Sequence, residues 1–208
     1  MSRYTARYAF YRAVVPLLVW LVAALALPGQ VSANEPARAG GVIFSSGAVT
    51  LHRHGSTSAA KEGSAIHEGD RLVTEAESHA VLRMIDGAFI SSRSDSALSV
   101  QAYRYRPGTP AQSRALLTLH YGAARSVSGE LSARYPAGFQ LKTPIAAIGV
   151  RGTDFSVMSA EDVSRVSLRE GAVVMQPVSS ACSQRVSCSA ETLSAERPDL
   201  LLETRRGE

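Results

Sequence analysis

The 208-residue chain is poor in cysteine, in aromatic residues and in net charge. It has 2 cysteines and 1 tryptophan, and aromatic side chains make up only 6% of the sequence. Two cysteines are too few for a disulfide-stapled scaffold or a four-cysteine zinc site. Charged residues amount to 19% and hydrophobic residues to 45%, a balance that excludes an intrinsically disordered chain. The length instead indicates one domain or two small ones.

The first 33 residues have the pattern of a secretory signal peptide. Arg3, Arg7 and Arg12 precede an apolar run over residues 14–27, and small residues end the segment at Ala33. This run is shorter than the ~20 residues that a membrane-spanning helix needs, so cleavage is favoured over an uncleaved anchor, which remains the alternative. We therefore expect an exported protein, periplasmic or secreted, with no stable membrane span after cleavage.

Removing the leader changes what the charge implies. The whole chain has 22 basic and 18 acidic residues and a formal net charge of +4, which would favour nucleic acid or an anionic membrane as a partner. The leader holds three of these bases and no acid, so the mature domain is nearly neutral. Tyrosine and arginine alternate over residues 103–106, as in a single-strand-binding platform, but a loop in which arginines stack on tyrosines fits equally. We expect no nucleic-acid partner.

Short β-prone runs separated by glycine turns fill the mature chain. In residues 81–90, Asp86-Gly87 separates two such runs and predicts a hairpin with a type I′ turn. Glu170-Gly171 predicts a second hairpin, and Gly69-Asp70 predicts a turn into a strand. The best helical candidate, residues 190–202, contains a proline. The pattern predicts an all-β sandwich, barrel or solenoid.

Motifs of catalysis and nucleotide binding are not found in the sequence. His52 and His54 would share one face of a strand and form half of a metal site, but no third ligand is placed by the sequence, so exposed polar residues are favoured. Four carboxylates beside glycines are expected to hydrogen-bond their own turns, with a paired-carboxylate glycosidase as the alternative: Glu68, Asp70, Asp86 and Asp154. We expect no catalytic residue, no metal and no cofactor.

Both cysteines, Cys182 and Cys188, fall in one short segment near the C-terminus. In an oxidising compartment, the simplest expectation is a local disulfide that closes a small loop. A redox-active pair usually has the tighter C-x-x-C spacing, so a structural role is favoured.

The most specific stretch is a Thr-Pro pair followed by a short apolar run and a Gly-Val-Arg-Gly-Thr-x-Phe motif. This stretch closely resembles the signature of the FecR domain family, named for the periplasmic part of the ferric-citrate signal transducer. The turns at Gly69-Asp70 and Asp86-Gly87 resemble the family's turns, and the resemblance covers roughly residues 41–178. The motif positions are Thr143, Pro144, Gly149, Arg151, Gly152, Thr153 and Phe155.

The physics of these residue types predicts a structural motif. Pro144 suits the start or edge of a strand, and Gly149 and Gly152 allow a bulge or a close backbone approach. Alternate residues from Thr153 onwards, including Phe155, are expected on one face. Arg151 has two interpretations. Its guanidinium either satisfies carbonyls inside a turn, which is favoured and makes Arg151→Ala destabilising, or meets a partner's carboxylate.

The resemblance implies an all-β domain, solenoid-like or a twisted two-sheet sandwich. It also implies a non-enzymatic interaction or signalling-accessory module of the cell envelope, whose partner is a protein or an envelope component. Too few residues precede the apolar run for the anti-sigma segment of ferric-citrate transducers, so sigma-factor regulation is not expected. The alternative is a cryptic hydrolase or a metal-binding envelope protein. The expected organisation is a signal peptide (1–33), an N-terminal arm (34–40), the FecR-like domain (41–178) and a tail with the disulfide loop (179–208).

Overall fold

The computed structural model describes residues 36–178, 191–194 and 201–205. The predicted signal peptide and the Cys182–Cys188 pair lie outside the described residues. One short helix, α1 (Glu130–Arg134), and two 3-10 turns, Pro110–Gln112 and Pro136–Gly138, accompany the strands. The strands are β1 (Arg38–Ser46), β2 (Val49–Arg53), β3 (Ser56–Ala59), β4 (Ala65–His67), β5 (Arg71–Thr74), β6 (His79–Met84), β7 (Phe89–Ser92), β8 (Ser96–Arg104), β9 (Arg114–Val127), β10 (Phe139–Lys142), β11 (Ala146–Ser159), β12 (Val163–Pro177), β13 (Glu191–Ser194) and β14 (Leu201–Arg205).

All the described strands belong to one hydrogen-bonded sheet. The sheet consists of two halves, which share three long strands. The first half-sheet has the order β3-β2-β5-β8-β9-β10-β11-β12-β13. The second half-sheet has the order β4-β1-β6-β7-β9-β11-β12-β14. Strands β9, β11 and β12 occur in both orders because each of them is long enough to pass from one half to the other. Only β9 and β10 pair in parallel among these strands. The all-β prediction is confirmed.

Each of the three long strands switches its inward-facing side where it changes half-sheet. On β11 the buried residues are even-numbered up to Val150 and odd-numbered from Thr153, and β9 and β12 show the same switch. Side chains of a regular strand alternate strictly, so a switch requires one extra residue. A glycine with positive φ marks it in each strand: Gly122 (φ 87°), Gly152 (φ 58°) and Gly171 (φ 87°). The bulges thus keep apolar residues inside both halves.

The buried side chains of the two half-sheets form one continuous hydrophobic cluster. Leu98 and Leu117 enter it from the first half-sheet, and Leu82 and Ile90 enter it from the second. Phe155 is 1% exposed and packs in the same cluster. Aliphatic residues supply most of this core, which agrees with the low aromatic content of the sequence.

The hairpin predicted at Asp86-Gly87 is confirmed, but its turn type is different. Strands β6 and β7 pair antiparallel across it. Gly87 has φ 84°, whereas Asp86 is not among the residues with positive φ, so the type I′ turn is wrong. The Gly87 amide donates to the Met84 carbonyl at 3.0 Å, which is the pattern of a type I turn followed by a left-handed glycine.

The hairpin predicted at Glu170-Gly171 is wrong. Both residues lie inside β12, a single strand from Val163 to Pro177 that pairs with β11 along its whole length. A glycine with positive φ fits a hairpin turn and a bulge equally well, and the partner strand decides between them.

The best helical candidate of the sequence, residues 190–202, is not helical where the chain is described. Residues 191–194 and 201–205 form β13 and β14, and both strands pair with β12. The one α-helix of the described residues, α1, has 5 residues and is too short for its periodicity to show in the sequence. Within the described ranges, no helix has the length and apolar content needed to cross a bilayer.

We predict that Gly171→Ala destabilises the protein by at least about 2 kcal/mol. A Cβ at position 171 would lie 2.0 Å from the Gly152 carbonyl oxygen, and the φ of 87° is unfavourable for alanine. Chemical unfolding measures the change. Gly149→Ala is the matched control on β11, because a Cβ there meets nothing within 4 Å and its φ is not positive. Equal stability of the two variants would contradict the structural role of the bulge.

Candidate interaction site

The family-like motif forms the point where β11 and β12 bend together. Arg151 is opposite Ala172, and the next paired residues are Asp154 and Glu170, so two residues of β11 face one of β12. Gly171 occupies that single position, where its backbone touches the Gly152 carbonyl. The bulge predicted around Arg151 is therefore present and depends on Gly152 and Gly171. Gly149 has ordinary strand geometry and is not part of it.

Arg151 is exposed on the outer surface at this bend. Its guanidinium has no hydrogen bond or ion pair to any residue in the described part of the chain. The favoured interpretation, in which the guanidinium satisfies carbonyls inside a turn, is therefore wrong. The reason is the register. Val150 is the last inward-facing residue before the bulge, so the side chain at 151 must point away from the core.

Thr143 and Pro144 form the turn that joins β10 to β11. Thr143 is buried, and its Oγ1 accepts hydrogen bonds from the Ala146 amide at 2.9 Å and from the Ser164 hydroxyl at 2.7 Å. Its own amide donates to the Ala146 carbonyl at 2.8 Å. Pro144 follows in the turn, where no ladder hydrogen bond is required of it. The pair thus fixes where β11 begins, four residues before Val150.

Beyond the bulge, the alternation predicted from Thr153 onwards is confirmed. Thr153 and Phe155 are buried, and the Thr153 amide donates to the Ser128 hydroxyl at 2.8 Å. Asp154 faces outwards and receives two hydrogen bonds from Arg125 on β9, at 2.7 and 2.5 Å. These hydrogen bonds lower the pKa of Asp154, and the charges of Arg125 and Arg169 add to the effect against a smaller contribution from burial. The expected bond from Asp154 to its own turn is not present.

Asp70 in the Gly69-Asp70 turn is a buried carboxylate held by an arginine. Its oxygens accept from Arg53 Nε and Nη2, each at 2.7 Å, and from the His67 amide at 2.7 Å. Arg53 also donates to the Ala65 carbonyl at 2.9 Å. Gly69, with φ 88°, allows the turn itself. The carboxylate therefore connects β2 to the β4–β5 turn. The hydrogen bond from the His67 amide, within the turn of Asp70, agrees with the sequence prediction, whereas the sequence did not predict the contact with Arg53.

Asp86 in the Asp86-Gly87 turn holds three elements together without a cation. One oxygen accepts from the Tyr103 hydroxyl at 2.8 Å and from the Ala88 amide at 3.2 Å, and the other accepts from the Leu131 amide in α1 at 3.1 Å. Burial, together with the charge of Asp86 and its hydrogen bond, raises the pKa of Tyr103 well above its usual value. Tyr103 therefore stays protonated and donates. The sequence offers no signal for this long-range contact.

The alternating Tyr-Arg run over residues 103–106 is not a stacking platform. Tyr103 is 1% exposed, so its ring cannot receive a base. Arg104 forms an ion pair with Glu68, and the Tyr105 hydroxyl donates to Glu130 at 2.6 Å. Burial raises the pKa of Glu68, but hydrogen bonds from Arg104 and from the Tyr103 amide outweigh it, so the pKa is lowered overall.

The histidines considered for a metal site have other roles. His52 shares hydrogen bonds with the hydroxyls of Thr57 at 3.0 Å and Thr50 at 3.4 Å. His54 has φ 48° and forms, with Gly55, the two-residue turn between β2 and β3, a hairpin that sequence reasoning missed. Across the described ranges, no three potential ligands come together in a metal-binding group.

A half-open groove of about 630 Å³ lies between two segments, residues 110–115 and 135–140. Its ionisable side chains are those of Arg114 and Tyr135. Ser113 also lines the groove, but its hydroxyl is engaged by the backbone of Arg106 and Thr109. The groove therefore lacks the paired acid and base that a hydrolase requires.

Comparison with known proteins identifies the family. The family model described as FecR protein matches residues 70–174, about half of the chain, and the protein belongs to this family. The family comprises signalling-related regulatory modules and is generally non-enzymatic. The resemblance drawn from the Gly-Val-Arg-Gly-Thr motif is thus confirmed.

Two solved structures of a candidate anti-sigma factor from Parabacteroides distasonis are similar to part of the chain. Each has a TM-score of 0.48 and 16% sequence identity and covers 66% of this chain. The match spans only 56% and 55% of the lengths of the chains in these two solved structures. No curated protein sequence matches the chain.

The Arg125–Asp154 pair predicts a loss of stability in acid. Because the pKa of Asp154 is lowered in the folded state, its contribution is present above the unfolded value, near 3.8, and is lost as pH falls through the folded value. We expect Asp154→Asn to lower the free energy of unfolding by up to about 1 kcal/mol at pH 7, with the difference disappearing as the pH falls through the folded pKa of Asp154. Unfolding curves between pH 2 and pH 7 measure it.

The matched control for this prediction is Glu62→Gln. Glu62 is an exposed carboxylate without an ion pair in the described part of the chain. This variant should keep the pH dependence of the native protein. A constant difference between Asp154→Asn and the native protein at every pH would show that the ionised pair contributes nothing.

Proposed function

We propose that the protein is a non-enzymatic, exported interaction module that takes part in envelope signalling. In this proposal it recognises a carboxylate-bearing protein partner through Arg151. The observation that carries the proposal is the state of Arg151, which is exposed and unpaired among the described residues although it lies in the motif that marks the family.

The bulge makes Arg151 suitable for recognition. Its backbone is fixed on both sides, by pairing with Ala172 and by the contact of Gly152 with Gly171. A fixed backbone reduces the conformational entropy lost when a partner binds. The planar guanidinium presents parallel N–H donors that match the two oxygens of a carboxylate. An aspartate or glutamate of a partner protein is the group that best fits this donor.

The non-enzymatic part of the proposal is supported by how the carboxylates are used. Asp70 and Asp154 each receive two hydrogen bonds from an arginine, and Asp86 receives three from a tyrosine and two amides. These acids stabilise turns and strand pairs, so they are not available for proton transfer to a substrate. The exported location is supported by the leader pattern of residues 1–33.

Site-specific photocrosslinking in the native host tests this function. A photoreactive amino acid at Val174 would lie beside the recognition point, since Val174 is 41% exposed on β12 and two residues from Ala172, the partner of Arg151. We expect one discrete crosslinked protein, identified by mass spectrometry, whose yield falls at least about tenfold with Arg151→Ala.

Two controls accompany the crosslinking. Arg93→Ala removes an exposed arginine from the loop before β8 and should leave the yield unchanged. Thermal unfolding of Arg151→Ala should match the native protein, because the side chain makes no internal contact that would be lost. A crosslink that survives Arg151→Ala, or a variant that is destabilised as much as Gly171→Ala, would overturn the proposed role of Arg151.

A further inference from the structure

A straight row of polar side chains crosses the outer face of the first half-sheet. Successive strands bring these residues directly opposite one another, so their side chains are neighbours on the same face. In strand order the row consists of Thr57, His52, Arg71, Ser99, Thr118 and Lys142, followed by Ala147 and Gln176.

The row is basic and contains no acid. Arg71 and Lys142 are its two permanent cations, and neither has a hydrogen bond or ion pair to the described residues. The pKa of His120 is lowered mainly by burial and, to a smaller extent, by the positive charge of Arg71. The charge of Arg71 therefore acts on a neighbouring side chain, and no acid of the described residues forms an ion pair with it.

Hydrogen-bonding capacity in the row is also left unused. Arg71 Nε and Thr118 Oγ1 are buried side-chain atoms without a partner. Buried polar atoms without partners are uncommon in native proteins and are often satisfied by a ligand or by water. Ser99 shares a 2.8 Å hydrogen bond with Nε2 of His120, so its hydroxyl and this imidazole form a second polar pair beside Arg71.

The dimensions of the row indicate an extended ligand. Neighbouring strands are about 4.8 Å apart, so Arg71 and Lys142, three strands apart, are separated by roughly 14 Å. One small anion cannot meet both cations at that distance. A polymer with acidic groups at intervals can meet both, and it can use the hydroxyls between them.

We propose that this row binds a linear acidic polysaccharide, such as a polymer of uronic acid residues. Sugar hydroxyls both donate and accept hydrogen bonds, which matches the serine, threonine, histidine and glutamine side chains of the row. The carboxylates of the polymer would pair with Arg71 and Lys142.

Other polymers fit the row less well. No phenylalanine, tyrosine or tryptophan lies in it, so the His52 imidazole is the one ring of the row on which single-stranded nucleic acid could stack a base. An acidic peptide is best bound as an added strand at a sheet edge, and this row lies on the face of the sheet. The site is separate from Arg151, which lies on the same half-sheet opposite Ala172, so the two proposals fail independently.

Calorimetric titration of the full chain with polygalacturonate tests the proposal. We expect binding that weakens about tenfold in the double variant Arg71→Gln/Lys142→Gln. The salt dependence of log Kd should also become shallower, by about one to two charges. The matched control is Lys61→Gln/Arg93→Gln, which removes one lysine and one arginine that are exposed elsewhere and should bind as the native chain does.

Ligand controls decide the chemical class. Dextran, which is neutral, should not bind measurably, and poly-glutamate and single-stranded DNA should bind at least about tenfold more weakly than polygalacturonate. Absence of polygalacturonate binding, equal binding of poly-glutamate or DNA, or equal weakening in both double variants would each overturn the proposal. Where the Arg71→Gln/Lys142→Gln variant does not fold, the His120 imidazole NMR signal of the native chain replaces it. A shift on ligand addition supports the row, and bound ligand without a shift overturns it.

Discussion

The contact between Gly152 and Gly171 is the constraint on which the rest of the structure depends. Strands β11 and β12 pair along their whole length, yet they must bend together to belong to both half-sheets. The bend brings the Gly171 backbone so close to the Gly152 carbonyl that a Cβ at position 171 would lie 2.0 Å from its oxygen, which leaves no room for a side chain. Because the extra residue of the bulge also switches the inward-facing side, Val150 and Phe155 can both be buried although they stand on opposite parities of the strand. One backbone contact therefore sets the course of two strands and the composition of two core faces.

The charged residues of the described chain include two contrasting groups. Three acids near the turns are held by contacts within the fold. Asp70 is paired with Arg53, Asp86 accepts a hydrogen bond from Tyr103, and Asp154 is paired with Arg125. Arg71 and Arg151 have no such partner among the described residues and lie on the outer face of the first half-sheet. The described part of the chain therefore does not have a uniform surface. Asp70, Asp86 and Asp154 are engaged in internal contacts, whereas Arg71 and Arg151 leave unpaired positive charge on the outer face of the first half-sheet.

Local features of the sequence predicted local features of the fold. The Asp86-Gly87 hairpin and the alternation after Thr153 follow from turn chemistry and from strand periodicity, and both are present. The family motif was recognisable for the same reason, since it is a contiguous stretch. Glu170-Gly171 was misjudged because a positive-φ glycine is compatible with a turn or a bulge, and only the distant partner strand distinguishes them. The exposure of Arg151 was misjudged for a different reason, because it follows from the register in which Val150 faces inwards.

Long-range contacts could not be predicted from one sequence. Nothing near Asp86 indicates that Tyr103 and the amide of Leu131 will meet it. The cross-strand row from Arg71 to Lys142 can be recognised only once three strand pairings are known. Residues 191–194 and 201–205 form strands because β12 offers both of its halves for pairing, and their local sequence gave no strand signal.

Native-state amide hydrogen exchange on β11 tests most directly whether the paired bulge joins the two half-sheets into one cooperative structure. The slowest amides of residues 146–151 and of residues 154–159 should open with the same free energy, equal to that of global unfolding. If one of the two segments opens with a free energy lower by about 2 kcal/mol or more, the half-sheets unfold separately and the account is contradicted.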